Sequence, residues 1–210
     1  MITERPRRLP GVSYIGFQRY FATACTHFRK PIFADEHACG CHAVSQILLT
    51  GRELDFDIVA YCLMPDHAHL LVAGRSEASD FERFMKRFKQ RTGFDRRQAS
   101  GERLWQPGFH DRILRDDEAT PAVAKYILEN PVRAGLTKAL GEWLLAGSGI
   151  YTWPELFSLW EQETRTWQPS RPALRLPDHG RPEGRHYTRL ITAGPKACTT
   201  TARPNVVRRK

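Results

Sequence analysis

The run "LDFDIVAYCLMPDHAHLLVAG", Leu54 to Gly74, constrains this chain more than any other feature. Two largely apolar stretches flank Pro65-Asp66, and such a pair between two such stretches marks a tight turn. The segment predicts an antiparallel hairpin, and with it an antiparallel sheet at the centre of the fold. Side chains alternate across a strand, so His67 and His69 share one face while Ala68, Leu70 and Val72 share the other. The apolar set is the core side. The two imidazoles stand side by side on the opposite face, where together they can grip one ion or one phosphate.

Further elements read around that hairpin. "RYFATACTHF", from Arg19, has the alternation and the β-branched and aromatic content of a first strand. "ADEHACGCHAVSQILLTG" predicts a helix with Asp35 near its N-cap, Val44, Ile47 and Leu48 as its inward stripe, and Gly51 as its stop. "SDFERFMKRFKQRTG" predicts an amphipathic helix burying Phe81, Phe84, Met85 and Phe88. Arg83, Lys86, Arg87 and Lys89 crowd the rest of that helix, and Glu82 is the only acid between Phe81 and Arg91. A charge run of this kind is ordinarily a solvated surface, but near-absence of counter-charge tilts this one, with Arg96 and Arg97, towards phosphate contact. "RLWQPGFHDRIL" predicts another strand, broken or bulged at Pro107-Gly108. In "ATPAVAKYILENPVRAGL", Thr120 suits an N-cap, Pro121 the first helical position and Pro131 the far end. Val123, Ala124, Ile127 and Leu128 then face the core, and Tyr126 and Asn130, four apart, lie one above the other on a neighbouring face. The expected fold class is α+β, a central antiparallel sheet with helices packed on it, followed by a flexible basic C-terminal tail.

Charge divides the chain. Residues 165–210 hold eleven basic and two acidic residues, which is the whole net charge of +9, while residues 1–164 balance at 21 of each sign. That tail is also rich in Pro, Gly and Thr and reads as a cationic arm for nucleic acid. The expected division is an N-terminal arm (1–13), one domain (14–164) and the tail (165–210). Five cysteines without framework spacing point to a reducing compartment, and the N-terminus lacks the apolar core of a secretory signal. No apolar run reaches the roughly 18–20 residues that span a bilayer. The expected location is therefore cytoplasmic.

A strand pair of histidines is by itself usually structural. Here it stands beside a helical tyrosine with an amide one turn away, in a chain with two strongly basic segments. Two imidazoles plus one amide or carboxylate oxygen make a divalent-metal site with open positions, and such an ion can polarise a phosphodiester that a tyrosine hydroxyl attacks. Other readings compete. "HACGCH" (His37, Cys39, Cys41, His42) has zinc-ligand residue types, but a helix there puts Cys39 and His42 off the face shared by His37 and Cys41. A metal-dependent phosphohydrolase needs more carboxylates or histidines near the ion. A catalytically silent protein that binds DNA without cutting it is the main alternative.

"HAH" after "YCLMPD", with "KYILENPVRAGL" about sixty residues later, resembles the single-tyrosine HUH nucleases. Within them it most resembles the REP-associated tyrosine transposases, and the similarity extends through "RYFATACTHFRKPIF", "FMKRFKQRTG" and "LWQPGFHDRILR". The resemblance covers roughly residues 14–138. It implies a ferredoxin-like HUH fold, His67 and His69 as metal ligands, Asn130 as the third, polar ligand, and Tyr126 as nucleophile. It further implies Mg²⁺ or Mn²⁺ as cofactor and single-stranded or hairpin DNA as partner. The implied reaction is cleavage and rejoining beside hairpin-forming repeats through a 5′-phosphotyrosine intermediate, by a nucleoid-associated monomer or homodimer. Family members commonly carry Asn where this chain has Asp66, so the extra carboxylate is expected to act beside the ion or to alter metal preference.

Overall fold

A computed structural model of the chain describes residues 13–115 and 120–166, with the side chains of 163–166 excepted. Its centre is a five-stranded antiparallel sheet of order β4-β1-β3-β2-β5. The strands are β1 (Arg19–Cys25), β2 (Phe56–Met64), β3 (His67–Gly74), β4 (His110–Ile113) and β5 (Ala146–Gly147). β2 and β3 form the expected hairpin about Pro65-Asp66, and β3 is flanked on its other side by β1. The strand expected from Arg103 is broken as its Pro-Gly pair demands: Trp105 makes an isolated bridge to Thr26, Gly108 adopts a positive φ of 74°, and β4 follows.

The sheet is covered on both faces. On one lie the short α1 (Ile32–Asp35), α2 (His37–Glu53) and α3 (Phe81–Ser100). Their core takes Ala68, Leu70 and Val72 from β3, Tyr20, Ala22 and Ala24 from β1, and Phe81, Phe84, Met85 and Phe88 from α3. The other face, which carries the histidines, packs α4 (Thr120–Leu128) and α6 (Trp153–Thr166), with α5 (Asn130–Arg133) between them in sequence. Val123, Ala124, Ile127 and Leu128 are all buried there against Phe21, Cys62, Met64 and Leu71, and Leu156 and Trp160 of α6 complete the cluster. A bulge in β2 between Ile58 and Ala60 places Val59 and Ala60 together on this second face and resets the alternation, so that Cys62 and Met64 follow on it. This explains why β2 reads as an almost continuous apolar run: both of its faces are core.

Helix boundaries depart from expectation in α2. Asp35 ends α1, and Glu36, without a side-chain cap, precedes α2. Gly51 does not stop the helix, which runs on to Glu53; it is an interior contact point. A Cβ placed on Gly51 would lie 2.9 Å from Ile58 Cδ1 and 3.0 Å from the Phe56 carbonyl oxygen, so the missing side chain lets α2 settle on β2. The inward positions are Gly40, Ala43, Ile47 and Thr50, with Val44 and Leu48 only partly buried at the edge of the core. By contrast α3 carries a side-chain cap, with the Asp80 carboxylate accepting from the Arg83 N–H at 2.9 Å. The expected arm (1–13) lies outside the described residues but for its last. The tail does so but for the end of α6, which runs past residue 164 to Thr166. Among the described residues no helix is long and apolar enough to cross a membrane.

Candidate active site

The central position of β3 fixes both histidines from two sides. His69 lies opposite Thr23 of β1 and Cys62 of β2, and His67 lies opposite Cys25 and Met64. His69 is buried, with its ring stacked on Phe21 at 5.5 Å and its Nδ1 2.9 Å from Thr23 Oγ1. His67 donates from Nδ1 to Asp66 Oδ1 at 2.6 Å. The second carboxylate oxygen of Asp66 is 2.9 Å from Arg29 Nε, so the buried acid is neutralised from one side while it orients the ring on the other. With both Nδ1 atoms engaged, the two Nε2 atoms face each other at 3.0 Å across nearly perpendicular rings. Asp66 thus stands behind the pair rather than in front of it.

The tyrosine reaches this face of the sheet because α4 lies across β2 and β3. Its apolar stripe is buried, which leaves Tyr126 half-buried at the margin of the same cluster. Trp160 Nε1 donates to the Pro121 carbonyl at 3.0 Å, and Arg19 donates to Thr120 Oγ1 at 2.6 Å, so the helix is tied at its start. At its other end the chain turns into α5, and Asn130 caps the break: Nδ2 donates to the carbonyls of Tyr126 (3.1 Å) and Ile127 (2.9 Å). Arg133 donates to the Tyr126 carbonyl at 2.9 Å and to Asn130 Oδ1 at 3.1 Å, and its guanidinium carbon lies 4.0 Å from the centre of the Tyr126 ring. The fold therefore assembles His67 with His69, and Tyr126 with Asn130, on one face. The Asn130 oxygen accepts from Arg133, which fixes its orientation and leaves its second lone pair.

A family model described as "Transposase IS200 like" matches residues 18–130, more than half of the chain and the segment containing all four of these residues. The chain belongs to this family. It is 26% identical over 105 residues to a Haemophilus influenzae protein named for the REP-associated tyrosine transposases, a match covering 45% of this chain and 60% of that protein. A REP-associated tyrosine transposase of Escherichia coli is 24% identical over 139 residues, 60% of this chain and 78% of that one. The solved structure of a REP-associated tyrosine transposase bound to a REP hairpin shares the fold, with a TM-score of 0.53 at 21% identity, over 67% of this chain and 81% of that chain.

Placed on the transposase fold, the candidate DNA-contacting cations lie on α3, across the sheet from the histidines, and they divide in two. Arg83, Lys86 and Arg97 are exposed. The other three have structural partners: Arg87 pairs with Glu53 at 3.4 Å, Arg96 is buried between Glu36 and Glu102, and Lys89 donates to the carbonyls of Gln106 and Gly108. Burial holds the Lys89 ammonium down to about 8. The acids that engage α3 come mainly from α2 and its approach, which no local reading of α3 reveals. The residues of "HACGCH" do not converge, in keeping with their helical spacing. His42 pairs with Asp95 at 2.7 Å, His37 turns to Cys41, and no group of three or more His, Cys, Asp or Glu is set to hold a metal among the described residues. Residues that the motif alone did not single out are Thr23, Arg29 and Arg133. Each supports a motif residue from another strand, turn or helix.

Proposed function

We propose that this chain is a metal-dependent single-stranded DNA endonuclease and strand-transfer enzyme, which cuts and rejoins DNA beside hairpin-forming, REP-like repeats. The observation that carries the reading is the convergence of His67 Nε2 and His69 Nε2 at 3.0 Å on rings whose Nδ1 atoms are already engaged. With Asp66 accepting from His67 Nδ1–H, that ring presents its Nε2 lone pair; His69 does the same when Nδ1–H donates to Thr23. Two imidazole nitrogens directed to one point in this way are suitable donors for one divalent cation. His67 and His69, with Asn130 as third donor, would hold Mg²⁺ or Mn²⁺. Bound there, the ion supplies Lewis-acid stabilisation of the charge that builds on the non-bridging phosphate oxygens.

The chain's own groups do the rest. Tyr126 Oη attacks the phosphorus, the bond to O3′ breaks, and the 5′-phosphate remains on the tyrosine as a new phosphodiester. The phenolic proton passes to solvent and the departing 3′ oxygen takes one up. One phosphodiester replaces another, so the reaction can run back with a different 3′-hydroxyl and rejoin strands. Arg133, over the Tyr126 ring and bonded to its carbonyl, holds the nucleophile's helix turn in place. Such a substrate agrees with a cytoplasmic, nucleoid-associated protein. The test is a nicking assay on hairpin DNA with single-stranded flanks. His67→Ala and His69→Ala should each lower cleavage at least a hundredfold, with the double variant little worse than either. Chelation should abolish cleavage and Mg²⁺ or Mn²⁺ restore it; undiminished cleavage in EDTA would remove the metal role.

A further inference from the structure

We infer that Phe28 is a stacking platform for an unpaired base of the DNA strand that enters the histidine site, an inference that rests on the reading of this chain as a DNA-cleaving enzyme. The turn carrying it follows directly from the site: Cys25, the last residue of β1, pairs with His67, and the chain then bends through residues 26–30. That bend is locked. Thr26 N donates to the Asp66 carbonyl at 2.9 Å, Thr26 Oγ1 lies 2.7 Å from the Lys30 carbonyl, and Arg29 reaches both Asp66 and Cys25 Sγ at 2.9 Å. Phe28 and Arg29 are held at φ 55°, two successive side-chain-bearing residues in the left-handed region.

The strain buries little of the side chain in return. The Phe28 ring is 77% exposed, more than any other large apolar side chain among the described residues, and it touches the His27 ring at a centroid distance of 4.1 Å. Strain of this kind persists where surrounding contacts over-determine it, and it gathers at ligand clamps. The surroundings specify the ligand class. A single exposed ring, backed by His27 and with Arg29 and Lys30 already paired to Asp66 and Glu102, lacks the contiguous apolar area of a protein-docking patch, whereas one open aromatic face suits an unpaired base. The link to the chemistry is short: Arg29 holds Asp66, and Asp66 holds His67.

The experiment compares a hairpin oligonucleotide carrying single-stranded flanks, with 2-aminopurine in the flank, and the same hairpin without flanks. Phe28→Ala should bind the flanked hairpin about tenfold more weakly, lose the stacking quench of 2-aminopurine, and bind the flankless hairpin as wild type does. Phe28→Trp should restore both affinity and quench. Equal loss on both DNAs, wild-type binding by Phe28→Ala, or failure of Phe28→Trp to restore it would overturn the inference while leaving the DNA-cleaving reading in place. Binding of neither DNA by the wild-type protein would remove that reading, and this inference with it.

Discussion

At the scale of single residues, the feature with the sharpest consequence is Asp66. It is buried, and its two oxygens are divided between His67 Nδ1 and Arg29 Nε. Replacing it by Asn keeps the shape but removes the charge that favours the Nδ1–H tautomer of His67. Carboxylate partners of ligating histidines typically contribute 10- to 100-fold in metal affinity or activity. Asp66→Asn should accordingly raise the Mn²⁺ concentration needed for half-maximal nicking by about that factor, with hairpin affinity unchanged. An unaltered metal requirement would leave Asp66 a purely structural acid. The shared face of His67 and His69, and the one-turn spacing of Tyr126 and Asn130, were legible because period 2 and period 3.6 operate within one element. The role of Asp66 was half legible, since it adjoins the histidine in sequence. Thr23 and Arg133 were not. Thr23 meets His69 only through the register of β1 on β3, and Arg133 meets Tyr126 only because the chain kinks between α4 and α5.

At the scale of elements, the hairpin, α3 and α4 were legible because each carries its own start and stop and an unbroken apolar period. β5, only two residues long, offers no alternation to read, and α6 was not anticipated, since Leu156 and Trp160 are its only buried apolar side chains. Gly51 shows how tertiary packing overrides a local signal. Its residue type suggests a helix end, yet it serves as a contact point where α2 meets β2. Gly51→Ala therefore sets two effects against each other. Helix propensity favours Ala by about 1 kcal/mol. The new Cβ, however, would press on Ile58 and on the less yielding Phe56 carbonyl, and overpacking of this kind costs about 1–3 kcal/mol. Urea denaturation should show a net loss of roughly 1 kcal/mol; a gain in stability would mean that α2 can move off the sheet freely.

At the scale of the whole molecule, charge and chemistry are separated along the chain. Residues 1–164 are electrically balanced and residues 165–210 carry the full +9. Within the balanced part several α3 cations are already matched by Glu36, Glu53 and Glu102, which leaves less of that helix for phosphate than its sequence suggests. The long-range attraction for DNA is then expected to come largely from residues 165–210. If about four of those cations engage a single strand, deleting the segment should reduce the slope of log affinity against log salt by roughly 3. Cleavage at saturating DNA should stay near the full-length level. An unchanged slope would assign the electrostatic footprint to residues 1–164, beginning with Arg83, Lys86 and Arg97.

Tyr126 is the residue proposed to form the covalent link to DNA. The most direct measurement is to incubate the protein with flanked hairpin DNA and Mn²⁺, digest it, and locate the modified peptide by mass spectrometry. The expected product is a 5′-phosphorylated nucleotide esterified to Tyr126, with no adduct from Tyr126→Phe, whose hairpin affinity should stay within about 1 kcal/mol of wild type because the ring still packs. Cleaved DNA with no adduct, or an adduct that persists in Tyr126→Phe, would contradict it.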